Sequence, residues 1–225
     1  MKRAEQLMCN LSEARLVIFD WDGTLVDSEE HIVKSLEITS RVMGLHALSR
    51  HQYRDVIGLG MPEVVARLYP DKSIDVAVFR RHYSDAFSKH AHLGNRFFEG
   101  ALELVELLSS MGVLVAVATG KSRKGLAQAL QRHGLIGKFH YTRCADESKS
   151  KPDPMMLFEI LDHLKVKARD AVMVGDTRYD MEMAKNAGVA SIGVSFGVHS
   201  KDDLGCYSPL LVVDSFAELS KQFVG

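Results

Sequence analysis

From residue 100 onward, the chain alternates helix-length amphipathic stretches with short apolar runs. Helices are expected at 100–111, 122–133, 154–164 and 177–187, and strands at 113–118, 139–144, 171–174 and 189–194. A short strand at 210–213 and a final helix at 214–222 close the chain. This alternation points to a parallel sheet covered by helices on both faces, because parallel strands need crossovers long enough to hold a helix. Leu16-Val17-Ile18-Phe19 reads as one further buried strand ahead of that pattern.

Between residues 28 and 92 no strand pattern occurs. Ile32, Val33, Leu36, Ile38 and Val42-Met43 form a helical stripe, with Gly44 as its stop. Further helices are expected from Arg50 to Val56 (ending near Gly58), from Pro62 to before Pro70, and from Ile74 to about Ala91. The expectation is an α/β core of residues 1–27 and 93–225 with an all-helical domain, 28–92, inserted into it. Asp27-Ser28 and His92-Leu93-Gly94-Asn95-Arg96 would be the linkers.

The apolar runs end in reactive residues. Leu16–Phe19 runs into Asp20-Trp21-Asp22-Gly23-Thr24, 113–118 into Thr119-Gly120-Lys121-Ser122, and 171–174 into Gly175-Asp176 with Asp180 beyond. Ser150-Lys151-Pro152-Asp153-Pro154 lies between the last two, just ahead of a helical stretch. Open parallel sheets bind ligands outside the carboxyl ends of their strands, so all of these groups fall on the functional edge. Paired carboxylates suit a magnesium site, since hard cations take oxygen ligands. They also suit division of labour between a nucleophile and an acid/base. Each residue has a purely structural reading as well: an Asx turn for Asp20–Thr24, a helix cap for Thr119 or Asp176, a solvated loop charge for Lys151, and a first-turn acid facing the helix dipole for Asp180.

Composition narrows the classes. The chain has 225 residues, 46% hydrophobic and 25% charged, which excludes disordered and fibrous proteins. A net charge of −1 leaves no broad basic field for nucleic acid. No apolar run approaches the roughly 20 residues that cross a bilayer, so no membrane partner is expected. Cys9, Cys144 and Cys206 are odd in number and widely spaced, which fits a reduced, cytoplasmic protein and packed thiols rather than a disulfide scaffold. Oligomeric state is left open between monomer and dimer.

Asp20-Trp21-Asp22-Gly23-Thr24, Thr119, Lys151 and Gly175-Asp176-Thr177-Arg178-Tyr179-Asp180 together resemble the four motifs of the haloacid dehalogenase-like hydrolases. The likeness runs from about residue 15 to about 195 and is greatest to the phosphoglycolate phosphatase and β-phosphoglucomutase-like branch. It implies a Rossmann-like three-layer α/β core with a helical cap over the site. It further implies a magnesium-dependent phosphatase acting on a small phosphorylated metabolite through an aspartyl phosphate. Asp20 would be the nucleophile and Asp22 the acid/base. Asp176, Asp20 and the backbone carbonyl of Asp22 would hold Mg2+, with Asp180 one layer further out. Gly23, Thr119, Gly120 and Lys151 would bind the phosphoryl group. Gly58, Leu59 and Gly60 in the cap, and Phe98 on the core side, are candidates for specificity.

Two departures from the family pattern are mild. Trp21 replaces a smaller apolar residue, and Gly120 replaces a polar one while keeping a backbone donor. Asp22 argues against the dehalogenase branch, which lacks it. Three rivals remain: a phosphosugar mutase using the same intermediate, a receiver-like phosphoacceptor domain, and an inactive binding protein of the same fold. Asp176 and Asp180 after Lys151, and the helical insertion, speak against the receiver. The intact set Asp20, Asp22, Thr119, Lys151 and Asp176 speaks against the inactive protein.

Overall fold

The computed structural model describes residues 11–90 and 96–224. Six parallel strands form one sheet in the order β5-β4-β1-β6-β7-β8. They are β1 (Leu16–Phe19), β4 (Leu114–Thr119), β5 (Tyr141–Cys144), β6 (Ala171–Gly175), β7 (Ala190–Val194) and β8 (Leu211–Val213). β1 lies at the centre, between β4 and β6, and all four of its residues are buried. Its side chains alternate between two cores, as strand geometry dictates. Val17 and Phe19 join Leu104, Leu126 and Phe216 on one face. Leu16 and Ile18 join Met156, Ile160 and Met173 on the other.

The first face is covered by α5 (Ala101–Ser110), α6 (Arg123–Arg132) and α10 (Phe216–Val224), the second by α7 (Met155–Leu164) and α8 (Arg178–Ala187). The result is the expected three-layer α/β core, with element ends within about two residues of the sequence reading. Trp21 is buried against the rings of Phe97 and Phe139, 5.8 and 6.1 Å away. It therefore belongs to the first core. Cys144 is buried and Cys206 exposed, both as free thiols, while Cys9 lies outside the described residues. Burial pushes the Cys144 thiol up to about 12, which keeps it protonated and inert.

Four helices stand between β1 and the rest of the sheet: α1 (Glu29–Val42), α2 (Arg50–Arg54), α3 (Met61–Leu68) and α4 (Val76–Lys89). Ser49 caps α2 through a reciprocal box with Gln52, and the Asp75 carboxylate caps α4. α1 ends at Val42, and Gly44 follows in the left-handed conformation that a helix exit favours. These helices share an apolar cluster containing Ile32, Leu36, Tyr53, Val64 and Phe79. Tyr179 and Val198, from the sheet-bearing part of the chain, complete that cluster. The chain enters and leaves the segment through a two-stranded antiparallel ribbon, β2 (Val26–Asp27) with β3 (Arg96–Phe97). Neither this ribbon nor α9 (Lys201–Gly205) was expected, because two-residue strands and a single helical turn are too short for periodicity to register. Most of the expected second linker, 91–95, lies outside the described residues. Among the described residues, no helix is long and apolar enough to cross a membrane.

Candidate active site

The carboxyl ends of β4, β1 and β6 lie side by side, with Phe19 level with Val117 on one neighbour and Val174 on the other. Asp20 continues the ladder for one more residue, its N–H donating to the Val174 carbonyl at 2.9 Å. The chain then turns, and the two carboxylates separate. Asp20 faces inward and is fully buried. Asp22 accepts from the Ser28 hydroxyl at 2.6 Å and pairs with Lys121 Nζ at 2.9 Å. Ser28 stands at the N-terminus of α1 without capping it, since its hydroxyl goes to Asp22 instead.

Lys151 is completely buried, which excludes the solvated-loop reading. Its Nζ lies 2.8 Å from Asp20 Oδ1 and 2.6 Å from Asp180 Oδ1. Burial works against the ammonium, but Asp180 and Asp20 outweigh it, and the Lys151 pKa is raised. Asp180 also serves as the acidic half of a capping box, its Oδ2 accepting from the Thr177 N–H at 3.0 Å and hydroxyl at 2.7 Å. Thr177, not Asp176, is therefore the helix cap. Likewise Ser122, not Thr119, caps α6. Thr119 is buried at the end of β4, where its Oγ1 accepts from the Lys121 N–H.

Asp176 is fully buried and held at both oxygens, by the Thr24 hydroxyl at 2.7 Å and the Val198 N–H at 2.8 Å. Burial and the neighbouring Asp180 push its carboxyl up to about 7. Burial likewise raises Asp20 well above the usual carboxylate range, against the pull of Lys151. Oxygens of Asp20, Asp176 and Asp180 all lie within 4.8 Å of one another. Asp20 Oδ2 is buried without a hydrogen-bond partner among the described residues. Side chains at Gly23 or Gly197 would run into Asp176, so both glycines keep that space open. Three buried carboxylates against one ammonium, with an orphaned oxygen, fit a hard divalent cation.

Gly23 is among the residues the resemblance implies for phosphoryl binding. Its N–H donates to the Val26 carbonyl at 2.8 Å, and its φ of +83° serves the turn. What Gly23 supplies is room for Asp176. The Gly58–Gly60 loop of the helical segment does reach the site. A Cβ on Gly120 would fall 2.6 Å from the carbonyl oxygens of Gly58 and Leu59, and the Gly60 N–H donates to Ser150 Oγ at 2.7 Å. A cavity of about 550 Å3 opens between helical segment and sheet edge, with Asp22, Gly58, Leu59 and Gly120 in its walls. Phe98 does not line it and packs on Phe196 instead, ring centroids 4.7 Å apart.

Thr24 and Lys121 stand within motifs that assign neither of them a task. Ser28, Ser150 and the Val198 amide had no sequence signal beyond residue type, and each acts through a contact the fold creates.

A parallel sheet bearing this carboxylate–lysine cluster at the carboxyl end of its central strands defines a hydrolase class. The sequence profile of the haloacid dehalogenase-like hydrolases matches residues 17–194, and the chain belongs to that family. A "Phosphoglycolate phosphatase" from Vibrio parahaemolyticus is 30% identical over 92% of this chain and 95% of its own. A "Probable phosphatase IndB" from Dickeya dadantii is 35% identical over 91% of each chain. A crystal structure of a predicted phosphatase from Clostridium acetobutylicum superposes with a TM-score of 0.83 at 26% identity, over 94% of this chain and 98% of that one. The protein is a phosphatase of the phosphoglycolate phosphatase-like branch.

Proposed function

We propose that the protein is a Mg2+-dependent phosphatase that hydrolyses a small-metabolite phosphomonoester through an aspartyl phosphate on Asp20. The observation that carries this is the separation of the two carboxylates: Asp20 faces the buried Lys151, Asp176 and Asp180, while Asp22 faces the cavity. Asp20 Oδ attacks phosphorus as the bond to the leaving oxygen breaks, and Asp22 gives that oxygen its proton. Asp22 then takes a proton from water as water attacks the phosphoenzyme, releasing phosphate and restoring Asp20. Lys151 fixes the orientation of Asp20 and offsets charge on the phosphoryl oxygens, and the Thr119 hydroxyl and Gly120 N–H donate to them.

Asp20 and Asp176 would hold the cation together with the Asp22 carbonyl, which supplies charge neutralisation for an anion attacking a dianion. Asp180 is already engaged by Lys151 and Thr177, so its role is to orient. Helices α1–α4 act as a cap that encloses the substrate, with the Gly58–Gly60 loop as its contact. A cytoplasmic setting fits the free thiols of Cys144 and Cys206.

The test is phosphate release from a panel of phosphorylated metabolites, including phosphoglycolate and sugar phosphates, with and without chelator. Activity that survives complete chelation removes the metal from the reading. Conversion of glucose 1-phosphate to the 6-phosphate without net release replaces phosphatase by mutase.

A further inference from the structure

Among the described residues, the cavity meets the site at Asp22, the Gly120-Lys121 turn and the Gly58–Leu59 part of the loop. Asp20, Lys151, Asp176 and Asp180 do not line it. Most of its space therefore lies beyond the carboxylate–lysine cluster, on the side to which Asp22 is turned. At about 550 Å3 it lies in the range that holds drug-sized ligands, far beyond the needs of glycolate.

Its walls differ in chemistry. On the helical side stand the buried apolar residues Leu36, Val56, Ile57 and Val64, flanked by the polar Arg80, Ser84, Asp85 and Ser88 of α4. Tyr83 and Phe87, one turn apart on α4, add two rings with centroids 5.7 Å apart, and the His31 ring already stacks on Phe87 with centroids 3.6 Å apart. On the opposite side α6 contributes Lys124, Gln128 and Arg132. Lys121 marks the inner end, 2.9 Å from Asp22 and 5.0 Å from the Phe87 ring centre. A sugar carries hydroxyls in every direction, and those against the apolar wall would lose water without gaining a partner. A planar ring has apolar faces and a polar edge, which matches these walls in turn.

We propose that the physiological leaving group carries a planar ring, laid against the Tyr83–Phe87 side with its polar edge toward Lys124, Gln128 and Arg132. This rests on the phosphatase reading above and narrows its substrate class. The chemical step is unchanged: the phosphorus–oxygen bond to the ring-bearing alcohol breaks, and Asp22 protonates the departing oxygen.

Uridine 5′-monophosphate carries a planar base where ribose 5-phosphate carries its anomeric hydroxyl, so their comparison reads the ring. Pyridoxal 5′-phosphate against phosphoglycolate sets a second ring-bearing ester against a small acyclic one. Stacking on an aromatic wall predicts kcat/KM about tenfold or more in favour of the ring-bearing ester in at least one pair. Ser84 lies exposed on α4 in the cavity wall, and Ser84→Trp should occupy the ring's place. The ring-bearing ester should then lose about tenfold while ribose 5-phosphate or phosphoglycolate stays within about twofold. Equal rates within both pairs, or an equal loss for every ester in Ser84→Trp, would overturn the ring proposal and leave the phosphatase reading standing. Failure to release phosphate even from p-nitrophenyl phosphate would overturn the phosphatase reading itself.

Discussion

Arg178 Nη2 donates to both carboxylate oxygens of Asp55, at 2.9 and 2.8 Å. Asp55 ends α2 in the helical segment, and Arg178 opens α8 between Asp176 and Asp180. The Tyr179 hydroxyl reinforces the junction by donating to the Asp55 carbonyl at 2.6 Å, and His199 Nε2 lies 3.4 Å from Asp55 Oδ1. Next to His199, the Val198 N–H holds the Asp176 carboxylate. The pair thus ties the helical segment to the loops that position Asp176.

Replacing Asp55 should therefore weaken cation binding as well as stability. The pair is partly exposed, so Asp55→Ala should cost about 1 kcal/mol and lower Tm by roughly 2–4 °C. Mn2+ affinity, followed by electron paramagnetic resonance of the metal-free protein, should fall several-fold. Arg50→Ala, which removes ion pairs made only to Glu29 and Glu30 within the helical segment, should leave it unchanged. Equal Mn2+ affinities in the two variants would reduce the junction to a structural tie.

Asp20 and Asp22 should fail differently. Asp20→Asn should remove the proposed nucleophile, so that no phosphoenzyme forms and turnover drops by several orders of magnitude. Asp22→Asn should slow esters with poor leaving groups by roughly 10²–10⁴-fold, the range of general acid catalysis. Esters with good leaving groups should still phosphorylate Asp20, and the phosphoenzyme should accumulate for want of a base. Mass spectrometry of quenched protein reads both outcomes. Phosphorylation persisting in Asp20→Asn would assign the nucleophile elsewhere.

The contribution of Asp176 to the stability of the metal-free protein should fall as pH rises. The folded protein holds a proton on Asp176 until about pH 7, whereas an unfolded Asp releases it near about 3.9. Between those values the native state binds more protons, so rising pH favours unfolding. A divalent cation displaces that proton, and its binding becomes easier as pH rises. Mg2+ should consequently raise Tm more at pH 8 than at pH 5. A shift of the same size at both would contradict the buried protonation.

Gly120→Ala should act at a distance from the metal. The new Cβ would press on the Gly58 and Leu59 carbonyls, at 2.6 Å, and force the loop away. Overpacking of this kind costs about 1–3 kcal/mol. The expected kinetic result is a raised KM or altered substrate ranking with the Mg2+ requirement intact. An unchanged substrate ranking would move specificity away from this loop.

Much of the fold was legible because strands buried on both faces leave continuous apolar runs and the helices that cover them leave helical stripes. β1 shows this: four apolar residues in a row, feeding two cores alternately. Elements too short to show a period leave no pattern, as with β2, β3 and α9. The site was legible wherever a reactive residue ended an apolar run, as with Asp20, Thr119 and Asp176. Phe98 carried only its residue type, and the structure sets it against Phe196.

By itself, the sequence determined which reactive groups stand at the sheet's carboxyl edge, since strand ends follow from local pattern. Only the tertiary structure decided what each group meets. Lys151 is 29 residues from Asp180 and Thr24 is 152 from Asp176, and closing such separations takes the packing of both helix layers on the sheet. The turn after β1, braced by Ser28 and Lys121, sends Asp20 inward and Asp22 toward the cavity. Spacing within a motif is a property of the chain. The direction in which two carboxylates point is set by the partners that distant segments bring to them.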